Sequence, residues 1–408
     1  MRLLYVHHAG DVRETYHRLA AGGLETYHAQ RYSMESYAKL SGLVDEFAVL
    51  TSVTEKPYDE VLPNGVRAIG AGLAKSADSN AMISSILQYA PTHLAIHPID
   101  QTVIRWIASQ QIPTITTFAN TLAREKCGFP RNLVREAKTR RTARALNQNN
   151  FHWVGSYGIN SSRELARLGV NPKKIIPWDY LIDSDPGPFT PKQSPSNRDP
   201  FTLCYVGTVS EGKGVAEMIE AVAILKSMSI NTTLKLVGPD TNHFARDQCT
   251  RYNIQDRVEL MGLMPSDSIE PLMNQCDLVI VPSQHDYPEG FPLVIHHALR
   301  ACTPTIASDH PMFTSHLKHR ENAMIFPQKD AKKMAECMSE ILNAPPLYAS
   351  ISAASHDTWK RLRLPVKWGD LLIRWIRNQN EDQDWLSERS LASLDNEQSY
   401  RQLACASR

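Results

Sequence analysis

The chain has 408 residues, with 44 lysine and arginine residues against 43 aspartate and glutamate residues and a formal net charge of +1. This balance excludes a global electrostatic attraction, so no nucleic-acid partner is expected. The length predicts two domains, and 42% hydrophobic residues indicate ordinary globular cores. Seven cysteines without a CxxC pair, and no signal-like or membrane-spanning apolar stretch, predict a cytoplasmic protein.

The N-terminal half alternates apolar strand patterns with helical patterns. Strands are predicted at residues 3–6, 46–51, 92–96 and 114–117, and helices at 102–109 and 161–168. The pair Gly22 and Gly23 is predicted to open a helix after the first strand. Alternation of this kind predicts a parallel, doubly wound sheet.

The composition changes at residues 184–200, which are rich in proline and polar residues, and this predicts an interdomain linker. The alternation then restarts with a strand at 201–206 and a helix at 215–226. The sequence therefore predicts an N-terminal Rossmann-like domain, a second Rossmann-like domain, and a C-terminal helix with a polar tail. Their boundaries are 1–183, 201–365 and 366–408.

The first candidate site is the segment GTVSEGKG at 207–214, between a predicted strand and a predicted helix. Its backbone N–H groups and Lys213 suit a phosphate group. A P-loop requires Ser or Thr after the lysine, where this chain has Gly214, and this argues against a nucleoside triphosphatase. The alternative is a plain strand-to-helix turn with a solvated lysine.

The second candidate site follows the apolar strand at 278–281, at the carboxyl end where open α/β sheets bind ligands. A helix predicted to start near Phe291 would direct free N–H groups at an anion. Glu289, just before it, can accept hydrogen bonds from sugar hydroxyls. The alternative is that Glu289 only complements the helix dipole.

Residues 201–345 resemble the donor domain of glycosyltransferase family 4, the retaining GT-B enzymes also called glycosyl transferases group 1. Three segments carry the resemblance in the family's order and spacing: GTVSEGKG at 207–214, EGFPLVIHHA at 289–298 and NAMIFP at 322–327. The resemblance implies an α/β protein of GT-B architecture, with two Rossmann-like domains whose parallel sheets face each other across a cleft. It also implies a nucleotide-sugar donor and catalysis without a metal or other cofactor.

The resemblance also implies roles for individual residues. Lys213 would neutralise the donor diphosphate and Glu289 would bind hydroxyls of the donor sugar, which makes these two the catalytic candidates. The other implied donor-binding residues are Gly23, Gly207, Thr208, Gly212, Gly290, Phe291, Pro292, Leu293 and His297. For Gly23 a plain turn is the equal alternative.

Three positions depart from the family pattern. Thr208 stands in place of an arginine, which removes one of two cations expected beside the diphosphate. His297 replaces the glutamate that binds the ribose, and an imidazole lacks the two acceptor oxygens that hold a diol. Ala119 replaces the histidine of a T-x-H segment. The acceptor-side candidates are His97, for which a purely structural role is the alternative, and Asn120.

The stretch at 131–144 is strongly basic. Contact with an anionic membrane surface, which would place the protein peripherally at the inner membrane face, is one interpretation, and a solvated helix face is the other. Asp183 and Asp185 resemble a metal-binding D-x-D, but their place in a proline-rich linker argues against metal ligation.

The sequence thus predicts a retaining glycosyltransferase that moves a hexosyl group from a nucleoside-diphosphate sugar to a hydroxyl. The acceptor would be a glycan, a lipid-linked saccharide or a small molecule. The alternatives are a non-catalytic sugar-nucleotide-binding protein and a sugar-nucleotide epimerase of the same architecture.

Overall fold

A computed structural model describes residues 1–8, 10–26, 29–73, 78–97, 100–119, 131–180, 188–195, 198–287 and 289–395, with the backbone alone for 131–136. The chain divides into two compact units. The first unit comprises Met1–Ser184 and Leu364–Arg408, and the second comprises Asp185–Arg363. Each unit is built around its own sheet.

The sheet of the first unit is mainly parallel. Its described strands are β1 (Arg2–His7), β2 (Glu46–Thr51), β3 (Pro57–Val61), β4 (Arg67–Ala71), β5 (His93–Ile96), β6 (Thr114–Phe118), β7 (Phe151–Tyr157) and β8 (Ile175–Trp178). Their order is β3-β4-β2-β1-β5-β6-β7-β8, and only the pairing of β3 with β4 is antiparallel among them. The strand order reverses between β1 and β5, which is the topological switch point of this sheet.

Helices connect these strands, and three of them begin at a side chain that caps the first turn. They are α1 (Val12–Ala20), α2 (Gln30–Ser41), α3 (Ser79–Tyr89), α4 (Gln101–Ala108), α5 (Arg131–Leu146) and α6 (Ile159–Arg167). The carboxylates of Asp11, Asp78 and Asp100 accept hydrogen bonds from backbone N–H groups in the first turns of α1, α3 and α4. These bonds satisfy donors that a helix start otherwise leaves unpaired.

Gly22 and Gly23 end a helix, and the prediction that they open one was wrong. Gly22 has a φ of +80° and donates its N–H to the carbonyl of Leu19 over 3.1 Å, while the N–H of Gly23 reaches the carbonyl of Arg18 over 2.8 Å. These two bonds form a Schellman motif, in which glycine supplies the left-handed conformation. The next helix starts only at Gln30.

The second unit has a fully parallel sheet over its described strands. These are β9 (Phe201–Val206), β10 (Thr232–Val237), β11 (Val258–Gly262), β12 (Leu278–Val281), β13 (Thr305–Ser308) and β14 (Met324–Phe326), in the order β11-β10-β9-β12-β13-β14. Its helices are α7 (Val215–Ser227), α8 (Phe244–Arg251), α9 (Ser266–Gln275), α10 (Leu293–Arg300), α11 (Pro311–Thr314), α12 (Ala331–Leu342), α13 (Pro345–Ala353) and α14 (Ser355–Leu362). The switch point of this sheet lies between β9 and β12.

Part of the predicted linker packs on the second unit. Lys192 donates hydrogen bonds from its ammonium group to the carbonyls of Met273 and Cys276 and to Oγ1 of Thr303, at 3.2, 2.8 and 2.7 Å. The ring of Phe189 lies 5.5 Å from that of Trp359. The described residues 188–195 are therefore held by specific contacts.

The chain returns to the first unit after residue 363. The last described helices are α15 (Trp368–Arg377), α16 (Asn380–Glu388) and α17 (Leu391–Leu394). The ring of Trp368 is almost fully buried and lies 5.7 Å from that of Tyr5 on β1. Part of the predicted polar tail is packed against the rest of the chain, because Leu386 and Leu391 are buried.

Candidate functional site

The turn after β9 leads into α7 in a conformation that only glycine adopts readily. Gly214 has a φ of +68° and precedes the first residue of α7. A Cβ atom at this position would lie 2.1 Å from the carbonyl oxygen of Pro282. The backbone of this turn therefore lies directly against the segment that follows β12.

A backbone hydrogen bond joins the same two segments. The N–H of Gln284 donates to the carbonyl of Gly212 over 2.9 Å. At the other end of the turn, Gly207 donates to the carbonyl of Val237, and the hydroxyl of Tyr205 donates to the carbonyl of Thr208 over 2.7 Å. The two candidate segments, distant in sequence, thus form one structure at the carboxyl edge of the sheet.

Lys213 and Glu289 meet at this edge. The ammonium group of Lys213 donates a hydrogen bond to Oε1 of Glu289, and the same oxygen accepts a 2.7 Å bond from the hydroxyl of Ser283. The ammonium nitrogen also lies 4.4 Å from the centre of the Tyr287 ring. The two charged side chains are 17% and 9% exposed, so they face each other in a largely protected environment.

Histidine side chains hold the turn between β12 and Glu289. Nε2 of His310 donates to the carbonyl of Tyr287 over 3.2 Å, and Nδ1 of the same ring accepts from the N–H of Met312. Burial lowers the pKa of His310, which favours this neutral form. His285 contacts Oδ1 of Asp309 through its Nε2 over 2.7 Å.

Helix α10 starts immediately after this turn. Pro292 occupies its N-cap and Leu293 its first position, two residues later than the predicted start. The ring of Phe291 is buried and lies 5.3 Å from that of His296, so both side chains belong to the core. Any ligand contact from Phe291 is therefore expected through its backbone. This agrees with the prediction that free N–H groups near this helix start face an anion.

His297 lies beside a carboxylate that the sequence analysis missed. Its Nδ1 is 3.8 Å from Oε2 of Glu270 on α9, and Arg300 donates a 3.2 Å hydrogen bond to the other oxygen of that carboxylate. Burial raises the pKa of Glu270, but the hydrogen bond from His297 and the charge of Arg300 outweigh it and the net pKa is lowered. A carboxylate thus lies next to His297 although it comes from another helix.

The candidates in the first unit are not all described. Gly23 ends α1, which accounts for a glycine without requiring a ligand, and its donor-binding role stays a prediction. His97 lies at the end of β5, and Asn120 lies outside the described residues, as do Asp183 and Asp185. The basic stretch lies on helix α5, where Arg141 and Arg144 are exposed, and both interpretations of it stay predictions.

Residues 188–357 match the family model described as Glycosyl transferases group 1. This segment is similar to the group 1 glycosyltransferases. The match contains both turns that form the candidate site, together with Lys213 and Glu289, and it confirms the resemblance drawn from the sequence.

Curated relatives of this group 1 segment include two named for polysaccharide biosynthesis. The amylovoran biosynthesis glycosyltransferase AmsK of Erwinia amylovora is 24% identical over 42% of this chain and 40% of that protein. The putative colanic acid biosynthesis glycosyltransferase WcaL of Salmonella typhimurium is 23% identical over 48% of this chain and 46% of that protein. The matched stretch therefore spans less than half the length of these relatives.

Solved structures match nearly the whole chain. HepE from Anabaena, crystallised with UDP, has a TM-score of 0.60 and 16% identity, covering 95% of this chain and 100% of that one. Sucrose-phosphate synthase from Thermosynechococcus elongatus has a TM-score of 0.62 and 17% identity and covers 100% of both chains. The predicted fold class, α/β of the GT-B type with two Rossmann-like domains, is confirmed. In the part of the chain that the structure describes, no helix is long and apolar enough to cross a membrane.

Proposed function

We propose that the chain transfers a hexosyl group from a nucleoside-diphosphate sugar to a hydroxyl, with retention of anomeric configuration. The observation that carries this proposal is the meeting of Lys213 and Glu289 at the carboxyl edge of the second sheet, inside the group 1 segment. A cation, a hydroxyl-binding carboxylate and a helix start lie together there. These are the groups needed to hold a sugar joined to a diphosphate.

The names of the relatives support the substrate class. HepE has been crystallised with UDP and with UDP-glucose, which favours a nucleoside-diphosphate sugar as the donor of this chain. AmsK and WcaL are named for the biosynthesis of extracellular polysaccharides, which favours a glycan or lipid-linked saccharide as the acceptor. We place the chain in polysaccharide biosynthesis on this basis.

The proposed chemistry uses electrostatics in place of a metal. As the bond between the sugar and the diphosphate breaks, negative charge builds up on the departing phosphate oxygen. Lys213 and the N–H groups at the start of α10 would stabilise that charge, while Glu289 would accept hydrogen bonds from the sugar. Since Lys213 contacts Glu289 in the free protein, donor binding would exchange this contact for contacts to the substrate.

Exposed basic residues on α5 favour a membrane surface as the place where the reaction occurs. Lys138, Arg140, Arg141 and Arg144 are exposed along this helix. Contact of these side chains with an anionic membrane surface from the cytoplasmic side would bring the protein to a lipid-linked acceptor. This contact is part of the proposal.

A second candidate function is sugar-nucleotide binding without transfer. It is favoured by His297, which contacts Glu270 in a position where the group 1 resemblance implies a ribose-binding carboxylate. Thr208, which stands in place of an arginine, would weaken the stabilisation of negative charge on the diphosphate, and this also favours binding without transfer. A GT-B epimerase is distinguished from both by conversion of the donor without an acceptor.

The experiment that tests the proposal starts with donor binding. UDP-, GDP-, ADP- and dTDP-sugars are screened for a rise in melting temperature, because a ligand at 100 times its dissociation constant stabilises the native state by about 2.7 kcal/mol. The screen is repeated with Lys213→Ala and with Lys226→Ala, a control lysine whose ion pair with Asp256 is exposed. The sugar-nucleotide that binds is then incubated with saccharide acceptors and the product's anomeric configuration is read by NMR.

The proposal predicts a stabilising sugar-nucleotide whose effect is lost in Lys213→Ala and kept in Lys226→Ala, followed by transfer with retention. Binding of a sugar-nucleotide with neither transfer nor epimerisation would support the non-catalytic candidate. If no sugar-nucleotide raises the melting temperature, both functions are rejected.

A further inference from the structure

Glu270 and His297 occupy equivalent positions on two helices of the second unit. Helix α9 starts at Ser266 after β11, and α10 starts at Leu293 after β12, so both begin at the carboxyl edge of the sheet. Open α/β sheets bind their ligands at this edge. Glu270 and His297 are each the fifth residue of their helix. Both residues therefore lie about one turn from the edge where a ligand binds.

The direction of helical side chains brings the Glu270 carboxylate closer to that edge. Side chains on an α-helix lean toward its N-terminus, so Glu270 and His297 both reach back toward the starts of their helices. The two side chains also contact each other across the helix pair, with Oε2 of Glu270 3.8 Å from Nδ1 of His297. The carboxylate is therefore within reach of a ligand group that is bound beside the starts of α9 and α10.

The carboxylate of Glu270 is held in place and is accessible. Its Oε1 accepts hydrogen bonds from Nε and Nη2 of Arg300 over 3.3 and 3.2 Å. Each carboxylate oxygen can accept about two hydrogen bonds, so Oε2, which faces His297, can accept another bond from a ligand. The side chain of Glu270 is 33% exposed, which gives a ligand access to that oxygen.

The parts of a sugar-nucleotide are joined in a fixed order, and this order selects the group that meets Glu270. Under the proposed function, on which this inference rests, Glu289 holds the sugar, while Lys213 and the start of α10 hold the diphosphate. The ribose is attached at the other end of the diphosphate. Since the strand order is β11-β10-β9-β12, a ligand that leads away from Glu289 past β9 approaches the start of α9, which follows β11.

A carboxylate beside a bound diphosphate has a known chemical use in open α/β sheets. Where a helix start holds the diphosphate of a nucleotide, a nearby acidic side chain accepts a hydrogen bond from the 2′-hydroxyl of the ribose. Glu270 has the charge, the accessible oxygen and the position for this contact. A 2′-hydroxyl is therefore the ligand group that fits it.

We propose that Oε2 of Glu270 accepts a hydrogen bond from the ribose 2′-hydroxyl of the donor. The donor is then a sugar of a ribonucleoside diphosphate and not of deoxythymidine diphosphate, which has no 2′-hydroxyl. His297 and Arg300 are positioning residues that hold the carboxylate. The group 1 pattern has a glutamate on α10 where this chain has His297, so a ribose contact from α9 departs from that pattern.

The test is isothermal titration calorimetry of the full chain with UDP, GDP and ADP and with the 2′-deoxy counterpart of each. At least one ribonucleotide is expected to bind about tenfold or more tightly than its deoxy counterpart, as for loss of a hydrogen bond to a charged group. Lys213→Ala is expected to weaken binding of both members of that pair alike, because it acts on the diphosphate that they share.

Variants then assign the preference to Glu270. Glu270→Ala is expected to bind the two members of the pair with nearly equal affinity, through weaker binding of the ribonucleotide and unchanged binding of the deoxynucleotide. Glu340→Ala is the matched control, because Glu340 also pairs with an arginine, Arg320, and its side chain is 37% exposed. This control is expected to keep the ribose preference. If Glu270→Ala fails to fold, Glu270→Gln, which keeps the shape of the side chain without its charge, is expected to show a reduced preference.

Equal binding of the ribonucleotide and the deoxynucleotide by the wild-type protein overturns the inference, and so does a full ribose preference in the Glu270 variants. Either result leaves the proposed function in place, because a nucleoside diphosphate still binds. If none of the nucleotides binds, the proposed function is rejected together with the inference.

Discussion

Lys213 and Glu289 form an ion pair within the second unit, although 76 positions separate them in the sequence. The hydroxyl of Ser283 also donates a hydrogen bond to Glu289, and the Tyr287 ring lies against the ammonium group of Lys213. Each charge therefore holds the other in place before any substrate binds, and removal of either leaves its largely buried partner without a counter-charge.

Lys213→Ala and Glu289→Ala are each expected to lower turnover about a hundredfold or more, because each removes a group proposed to act on the departing diphosphate or the sugar. Steady-state kinetics with saturating donor measures the effect. Lys333→Ala, which removes an exposed ion pair with Glu336, is the control and is expected to keep full activity. Normal turnover in both site variants would remove the basis of the site assignment.

Gly214→Ala is expected to destabilise the protein by several kcal/mol, because its φ of +68° is combined with a Cβ position 2.1 Å from the carbonyl of Pro282. Gly262→Ala is the matched control. Its φ of +66° is nearly the same, but no atom lies within 4 Å of the added Cβ, so a loss of about 1 kcal/mol is expected. Urea unfolding compares the two, and equal losses would show that backbone contact with Pro282 does not matter.

His310 performs two tasks that substitutions can separate. Its Nδ1 caps α11, and its Nε2 holds the carbonyl of Tyr287. His310→Asn keeps a side-chain acceptor for the cap and is expected to stay within about 1 kcal/mol of the wild-type stability, whereas His310→Ala loses more. Both are expected to raise KM for the donor. A normal KM in His310→Asn would show that the contact to Tyr287 does not position the site.

The contact between His297 and Glu270 predicts a coupled pair of substitutions. His297→Glu would bring a second carboxylate close to Glu270, and the repulsion is expected to lower the free energy of unfolding by about 1 kcal/mol. Glu270→Gln in the same protein is expected to remove that loss, which a double-mutant cycle measures as coupling. Simple additivity of the two changes would show that the side chains do not interact.

Two histidines at the carboxyl ends of β1 and β5, His7 and His97, make stability depend on pH. The pKa values of His7 and His97 fall from 6.5 to about 3 and about 4, chiefly through burial, so the unfolded chain binds more protons than the folded one in the interval between. Stability is therefore retained above about pH 6.5 and lost as the pH falls toward 4. The midpoint of urea unfolding is expected to decrease from pH 7 to pH 5, and less so in the double variant His7→Phe with His97→Phe. An unchanged slope in that variant would assign the acid sensitivity to other groups.

Local sequence patterns predicted most strands because parallel strands are buried on both faces and read as apolar runs. Strands β9 and β12 begin and end where the sequence placed them. The edge hairpin of β3 and β4 was missed because β3 is largely exposed and carries no such run. Helix α1 was missed for a related reason, since only three of its residues, Val12, Thr15 and Leu19, are buried.

The candidate site was predicted only in part. Lys213 and Glu289 were identified because motifs name them, but Ser283, His310 and Glu270 reach the site through tertiary contacts that no local pattern encodes. His285 and Asp309 also meet only because β12 and β13 are neighbours in the sheet. Sequence reasoning therefore identified the two charged residues and missed the contacts that hold them.

The return of α15 to the first unit has a consequence for synthesis on the ribosome. Gly155 of β7 leaves room for Leu371, and Gly369 donates its N–H to the hydroxyl of Tyr32, so the early strands and helices complete their packing only when the end of the chain arrives. Translation delivers the whole of Asp185–Arg363 before that moment. The unit encoded in one uninterrupted stretch can mature first, and the unit that is translated first must finish last.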